Sequence, residues 1–440
     1  MNLLVKGKYV ISDKIIKDGA IAIEDNIIMD VGEERKIKRS VGRGYEVYGG
    51  EEYLVIPGLI NSHTHISMTL LRGYADDYSL QDWLEKWIWP VEAKLRPEDI
   101  EAGAILGAVE SISMGVTTVC SLYHYYPDRN EASGLLKVGM RGTIGTALFS
   151  WDKEKCIYNF RDALHRWHGK NNLIRIAIGP HAPYTVDPDL WIEAKELLDY
   201  ANNKYADKGD IIMTTHILED DKEPELVKEK FNVELPEGSV VRYLDKLGVL
   251  DNYMLAAHMI HLHRDDIEIV KKRGINIAHN PIANLKLGMG IAPVSRYIDR
   301  GINVSLGTDG PASNNTLDIF ETMKIAALLQ KAIDRDPTTL PAKKVFEMAT
   351  INGAKALHYD NLGMIRKGYL ADIVLIDLKK PHLKPIFDPY SHLVYSVRSL
   401  DVDTVIIDGK IVYEKGEFST ISYDDIYKKI DRIINRLMSA

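Results

Sequence analysis

Val55-Ile56-Pro57-Gly58-Leu59-Ile60-Asn61-Ser62-His63-Thr64-His65 carries an apolar β-type run into two histidines one residue apart. Alternate side chains of an extended segment point the same way, so the imidazoles of His63 and His65 reach one point and can hold one ion. Two histidines this close also occur as surface or satisfied core residues. Whether the stretch ends in a metal site therefore depends on partners elsewhere in the chain.

Downstream, short apolar runs alternate with helical stretches, the pattern of parallel β/α units. Eight candidate strands end near His65, Ser121, Ala147, Gly179, Thr215, Ala257, Ala278 and Gly307. Helices are predicted over residues 97–114, 188–201, 239–247 and 264–273. A count of eight selects a closed (β/α)8 TIM barrel within the α/β class over an open sheet.

Upstream lie β-like runs at residues 3–5, 20–23, 27–29 and 45–48, too few to close a core alone. Residues 371–377 and 402–412 repeat the style, with Asp408-Gly409 as a hairpin signal. The two chain ends are thus expected to join in a small composite β-sandwich domain. In residues 421–438, Ile426, Ile430, Ile433, Ile434 and Leu437 recur at helical spacing and predict a closing helix. The expected division is 1–57 and 363–440 for the composite β domain, the latter with the closing helix, and 58–362 for the barrel. Residues 73–92, rich in Trp and Asp, and 219–236, rich in acidic residues and Lys, are too long for simple connections. At the carboxyl ends of barrel strands such excursions are substrate lids or else packed, functionless loops.

Composition narrows the partners. With 440 residues, 45% of them hydrophobic, the chain can bury one large core and a smaller one. Charged residues make up 27%, the formal net charge is -8 and no long basic block occurs, which argues against nucleic acid or an anionic membrane as partner. Cys120 and Cys156 are the only cysteines, so neither a disulfide framework nor a Cys-rich metal knuckle is present and a reducing cytoplasm is expected. No run reaches the roughly 18 apolar residues of a membrane span, and the first residues lack a long apolar signal core. A soluble, unprocessed protein is expected.

Polar residues at the strand ends form a constellation: His63 and His65 after the first, His181 after the fourth, His216 after the fifth, His258 after the sixth and Asp309 after the eighth. Active sites of this fold lie at that face, so all six converge. His63, His65, His216 and Asp309 make an N/O set suited to Zn²⁺ with a position left for water, and Fe²⁺ also fits. Glu219, three residues after His216, is placed to shuttle a proton. His258 can hold the activated water by a hydrogen bond, and Asp309 can serve as ligand and proton acceptor. Gly307-Thr308-Asp309-Gly310 reads as a tight turn that aims the Asp309 carboxylate.

Pro57 to His65, Gly179-Pro180-His181-Ala182-Pro183-Tyr184, His216-Ile217-Leu218-Glu219, His279-Asn280-Pro281 and Gly307 to Gly310 resemble the amidohydrolase superfamily, specifically its mononuclear deaminases. The likeness spans nearly the whole chain, including Gly368-Tyr369-Leu370-Ala371-Asp372-Ile373-Val374. Trp89-Pro90-Val91-Glu92, the stretch from His279 to Pro293, and Asn314-Asn315 are most similar to the 5'-methylthioadenosine/S-adenosylhomocysteine deaminases.

That resemblance implies zinc-dependent hydrolysis at C6 of an adenine nucleoside, giving the inosine analogue and ammonia. It further implies that Glu92 binds the ribose hydroxyls, His181 the purine, and that Glu219 protonates N1. A homo-oligomer, tetramer or dimer, is expected on the same ground. Dinuclear relatives carry a carboxylated lysine at the end of strand four, where Ile174 to Gly179 has none, so one metal per subunit is expected.

Two departures stand out. Ala283 replaces a serine common in the His-Asn-Pro-x-Ser-Asn stretch, and strand three ends Gly145-Thr146-Ala147 where relatives acting on S-adenosylhomocysteine look to have an arginine. Arg161 is the candidate substitute for that carboxylate clamp. Without a clamp, small 5'-substituents are expected to be favoured. The alternatives are a hydrolase on the same scaffold for guanine, cytosine or a triazine, and a metal-binding protein without catalysis. Glu92 speaks against the first and the presence of Glu219, His258 and Asp309 against the second.

Overall fold

The opening apolar runs pair with one another before the barrel begins. In the computed structural model, which describes residues 2–42 and 44–439, β1 (Asn2–Ile11) and β2 (Ile15–Glu24) form an antiparallel hairpin. β3 (Ile27–Glu33) extends it, and β4 (Glu46–Pro57) pairs parallel with β1. At Pro57-Gly58 the chain passes directly into the barrel. A Cβ on Gly58 would fall 2.1 Å from the Thr117 hydroxyl, so only glycine permits this crossing.

The barrel comprises β5 (Leu59–Thr64), β6 (Val116–Tyr123), β7 (Arg141–Leu148), β8 (Ile174–Pro180), β9 (Met213–Ile217), β10 (Met254–His258), β11 (Asn276–His279) and β12 (Val304–Leu306). Every neighbouring pair is parallel. Closure between β12 and β5 runs through Asp309 N–H to His63 C=O at 3.0 Å and through the Ser62 hydroxyl to Leu306 C=O at 2.6 Å.

Strand alternation divides the core. Met254 and Ala256 of β10 join the outer cluster with the helices, while Leu255 and Ala257 join an inner one with Ile60, Cys120, Ala177 and Ala278. Leu357, Tyr359 and Leu362 belong to that inner cluster and close the lower end of the barrel. Each large aliphatic side chain so buried contributes about 1.5–3 kcal/mol of transfer free energy.

The far end of the chain completes the small β unit. β13 (Ile373–Asp377) pairs antiparallel with β4, matching Val374 to Ile56. β14 (Val402–Ile407), β15 (Lys410–Glu414) and β16 (Glu417–Phe418) follow, giving one hydrogen-bonded sheet ordered β16-β15-β14-β13-β4-β1-β2-β3. Both faces are apolar. Leu54, Ile56, Val374 and Ile376 pack with the barrel, while Leu3, Val5, Ile21, Ile23, Ile373 and Leu375 pack among themselves as the facing halves of a sandwich do.

The expected closing helix is Tyr423–Met438. It packs on the helix Pro97–Ser113, and its Ile433 and Leu437 share one buried cluster with Leu95, Ile100 and with Leu80, Trp83 and Leu84 of the Trp-rich excursion, which is helical over residues 80–92 rather than an open loop. The second excursion holds the helix Glu223–Phe231.

Candidate active site

The ends of β5, β8, β9 and β10 and the turn after β12 deliver His63, His65, His181, His216, His258 and Asp309 to one mouth. There, one ligand atom each of His63, His216, His258 and Asp309 lies within 4.8 Å of the others, all four residues being buried. His65 joins them, with Nε2 3.2 Å from Asp309 Oδ1 and 3.2 Å from His216 Nε2. His63 Nε2 is 3.5 Å from the same Asp309 oxygen.

The hydrogen bonds around this cluster settle which nitrogens face it. His65 Nδ1–H donates to Leu122 C=O and His216 Nδ1–H to His181 C=O, both at 2.6 Å, so each Nε2 faces the cluster, where a bound cation would take the place of any proton on it. His258 Nδ1–H donates to Asn284 Oδ1 at 2.8 Å. Its Nε2 and both ring nitrogens of His63 are buried without a hydrogen-bond partner among the described residues. Burying such groups unpaired costs about 1–3 kcal/mol each, a cost a cation at the centre of the cluster removes. Donor chemistry and orphaned nitrogens together fit a divalent metal.

Backbone strain serves the same end. Asp309 has φ +63° and His258 φ +73°, left-handed conformations uncommon for non-glycine residues, and here both side chains are turned into the cluster. The flanking glycines work differently from the sequence expectation, because neither Gly307 nor Gly310 has a positive φ. A Cβ on Gly307 would lie 2.3 Å from Asn280 Oδ1 and 2.8 Å from His63 C=O, so this glycine provides close approach and Asp309 itself makes the turn. The Ser313 hydroxyl donates to Asp309 Oδ2 at 2.5 Å and fixes the carboxylate.

Electrostatics follow from burial and this pairing. Burial alone would raise the Asp309 carboxyl, but His63 and His65 outweigh it and hold the group well below its ordinary range. Burial opposes protonation of His65, yet the Asp309 carboxylate lifts it to about 9, while burial lowers His63 to about 4. Burial raises Glu219, whose Oε1 lies 3.6 Å from His258 Nε2. Burial keeps His181 neutral, lowering it to about 3.

A narrow cleft, partly open to solvent, leads to the cluster. Leu80, Trp83, Leu84, Ile88 and Leu287 give it apolar walls, and His65, His181, His216, Glu219 and Asp309 form its floor. Glu92 stands at the side, accepting from the Tyr123 hydroxyl at 2.5 Å, with Oε2 3.6 Å from His124 Nε2. Every site residue expected from the sequence lies in or behind this cleft except Arg161. That residue is exposed on the helix Lys153–Trp167 and lines a separate groove with Leu164, Glu193 and Tyr200. The helix turns Cys156, Phe160, Ala163 and Leu164 inward, which faces Arg161 away from the mouth.

Tyr123, His124, Phe149 and Asn284 were not anticipated. β6 runs to Tyr123, two residues beyond the expected end at Ser121, so the strand-end rule applied two residues later would have found Tyr123 and His124.

A (β/α)8 barrel with a buried, metal-fitting His/Asp cluster at its mouth defines a metal-dependent hydrolase site. Residues 54–412 match the Amidohydrolase family, and the chain belongs to it. It is 41% identical over 425 residues to the 5'-deoxyadenosine deaminase of Methanothermobacter thermautotrophicus, covering 96% of this chain and 95% of that one. It is 39% identical over 448 residues to the 5-methylthioadenosine/S-adenosylhomocysteine deaminase of Caldanaerobacter subterraneus, covering 100% and 99%. The crystal structure of an adenosine deaminase from Xanthomonas campestris with bound zinc superposes with TM-score 0.92 at 29% identity, covering 100% of this chain and 99% of that one.

Proposed function

We propose that this protein hydrolyses the C6 amino group of an adenine nucleoside to the inosine analogue and ammonia. The observation that carries the reading is the placement of Glu92, whose carboxylate borders the same cleft as the metal-fitting cluster. A ribose offers two hydroxyls to such an acceptor, whereas a free base offers none. The named activities of the relatives point the same way.

His63, His65, His216 and Asp309 would hold one ion per subunit, Zn²⁺ or, less well matched, Fe²⁺, and the ion would supply a water that deprotonates near neutral pH. Glu219 gives a proton to purine N1, which makes C6 electrophilic, and recovers one from the attacking water. His258 presents its Nε2 lone pair as acceptor for that water. Asp309 carries the second water proton to the departing amine. The C6–O bond forms, the C6–N bond breaks, and water plus nucleoside give the inosine analogue plus ammonia. The neutral imidazole of His181 hydrogen-bonds the purine.

The 5'-group is read from what borders the cleft. Ala147 lines it where the resemblance puts a clamp for an amino-acid carboxylate, and among the described residues no arginine or lysine borders this cleft, Lys155 lying in the adjoining one. Small groups, as in 5'-deoxyadenosine, 5'-methylthioadenosine or adenosine, are therefore favoured over S-adenosylhomocysteine. The division into residues 1–57, 58–362 and 363–440 and assembly as a tetramer or dimer belong to the same proposal. So does a cytoplasmic location, which the two buried free thiols, Cys120 and Cys156, support. No helix among the described residues is long and apolar enough to cross a membrane.

The test is ammonia release from the zinc-loaded protein with these four nucleosides, with His216→Ala as blank. Conversion of the small nucleosides is expected, with kcat/KM about tenfold or more above that for S-adenosylhomocysteine, the scale of one lost charged hydrogen bond. Comparable values would remove the 5'-preference. No conversion with metal bound would transfer the site to free bases or triazines, and Glu92→Gln with unchanged kinetics would do the same.

A further inference from the structure

Glu223 is fully buried, opens the helix Glu223–Phe231, and has no part in the chemistry above. Its Oε1 accepts the Leu218 N–H at 2.9 Å. The carbonyl on the other side of Leu218 is also held, accepting the Ile260 N–H at 2.9 Å, and the Ile217 carbonyl accepts the Met259 N–H at 3.0 Å. Leu218 has φ +53°, a left-handed conformation that costs a branched side chain about 1–3 kcal/mol and persists only when the surroundings fix it. The next residue in the chain is Glu219.

We propose that Glu223 is a positioning residue: by gripping the Leu218 amide it locks the left-handed turn after β9 and so aims Glu219 at His258 and the metal-fitting cluster. The catalytic part of this inference rests on the proton-shuttle reading of Glu219; the structural part does not. Without the grip, the Leu218 N–H becomes a buried donor without its acceptor and only the bonds to the flanking Ile217 and Leu218 carbonyls hold the turn, so it relaxes more readily toward ordinary backbone values. That relaxation would swing the Glu219 Cα–Cβ bond away from the cleft.

The burial of Glu223 suits the task. Burial, with the neighbouring Glu219 and Asp220 charges, pushes its carboxyl up to about 8 against the pull of the Leu218 and Glu219 amides. A neutral carboxyl keeps its carbonyl oxygen as acceptor for the Leu218 N–H and adds no second negative charge beside Glu219. Glutamine, with one carbonyl oxygen and no charge, can replace it in this role, whereas an apolar side chain cannot.

The experiment compares the wild type with Glu223→Met, Glu223→Ala and Glu223→Gln in the metal-loaded full chain. Metal content, kcat and KM on 5'-deoxyadenosine, and hydrogen exchange of the peptide spanning Leu218 are measured. Met and Ala are expected to lower kcat about 10- to 100-fold, with KM within about twofold and metal content unchanged, as loss of a supporting group does. Both are expected to speed exchange at Leu218, and Gln is expected to stay within about threefold of the wild type in kcat with slow exchange. If either Met or Ala fails to fold, the other carries the test. Unchanged exchange in Met and Ala, or a Gln variant as impaired as Met, would overturn the proposal. A wild type inactive on every nucleoside would refute the proposed function instead, and the exchange rates would still decide whether Glu223 holds the turn.

Discussion

At the lower end of the barrel, Arg141 meets Asp372 through Nε and Nη2 at 2.9 and 3.0 Å, with Nη1 on Asn172 C=O at 2.7 Å. At the mouth, His63 is as deeply buried and neither of its nitrogens has a partner among the described residues. Both regions take polar groups out of water, a costly step wherever it happens. The first repays it within the protein, because Asp372 also accepts the Asp408 N–H at 2.8 Å and ties the β13 end of the composite sheet to β7. The second leaves nitrogens open, in a donor set that fits an added cation. Completed pairing marks the joint between domains, and incomplete pairing marks the site.

If this contrast is sound, substitutions at the two ends should separate activity from stability. The largest effect is expected at the mouth. His216→Ala should lower deamination about 10³-fold or more, since several kcal/mol of transition-state stabilisation come from such an ion, with little change in the melting temperature of the metal-free protein. A metal-free variant that melts far below metal-free wild type would place His216 among the structural residues.

Arg141→Met should do the reverse. Leaving the Asp372 carboxylate buried and unpaired should cost about 3–5 kcal/mol in denaturant unfolding, while kcat per folded molecule stays unchanged. A loss of kcat in the folded fraction would couple the two ends and weaken the contrast.

The smallest effect sharpens the comparison from within the mouth. Glu223 has a folded-state pKa of about 8, raised from 4.5 by burial and by Glu219 and Asp220. Between those values the folded chain keeps a proton that the unfolded chain releases, so its stability contribution is complete below 4.5 and lost as pH rises toward 8. The melting temperature of the wild type should therefore fall relative to Glu223→Gln by about a few degrees from pH 5 to pH 8. A difference that does not vary with pH would mean the carboxyl is not held protonated.

Much of this was legible in the chain because barrel strands are short, apolar and bounded by polar ends. All eight expected strand ends fall within two residues of those observed, and residues at or near those ends carry the cluster. The two-residue error at β6 hid Tyr123 and His124, since boundaries are the weakest part of such a reading. Asn284 and Glu223 were beyond reach for a different reason. Each acts on a group brought to it by the folded chain, His258 Nδ1 in one case and the Leu218 amide in the other, and no periodicity records such a meeting. Arg161 failed for a geometric reason: a helix has an outer face, and Phe160 beside it took the inner one.

Metal titration tests the central claim most directly. Protein stripped by a chelator would be reconstituted with increasing Zn²⁺ while bound metal, melting temperature and ammonia release from 5'-deoxyadenosine are followed together. The account predicts saturation at one ion per chain, a rise in melting temperature as the orphaned histidine nitrogens gain their partner, and activity proportional to bound metal. Full activity in the stripped protein, or one bound ion without any deamination, would contradict it.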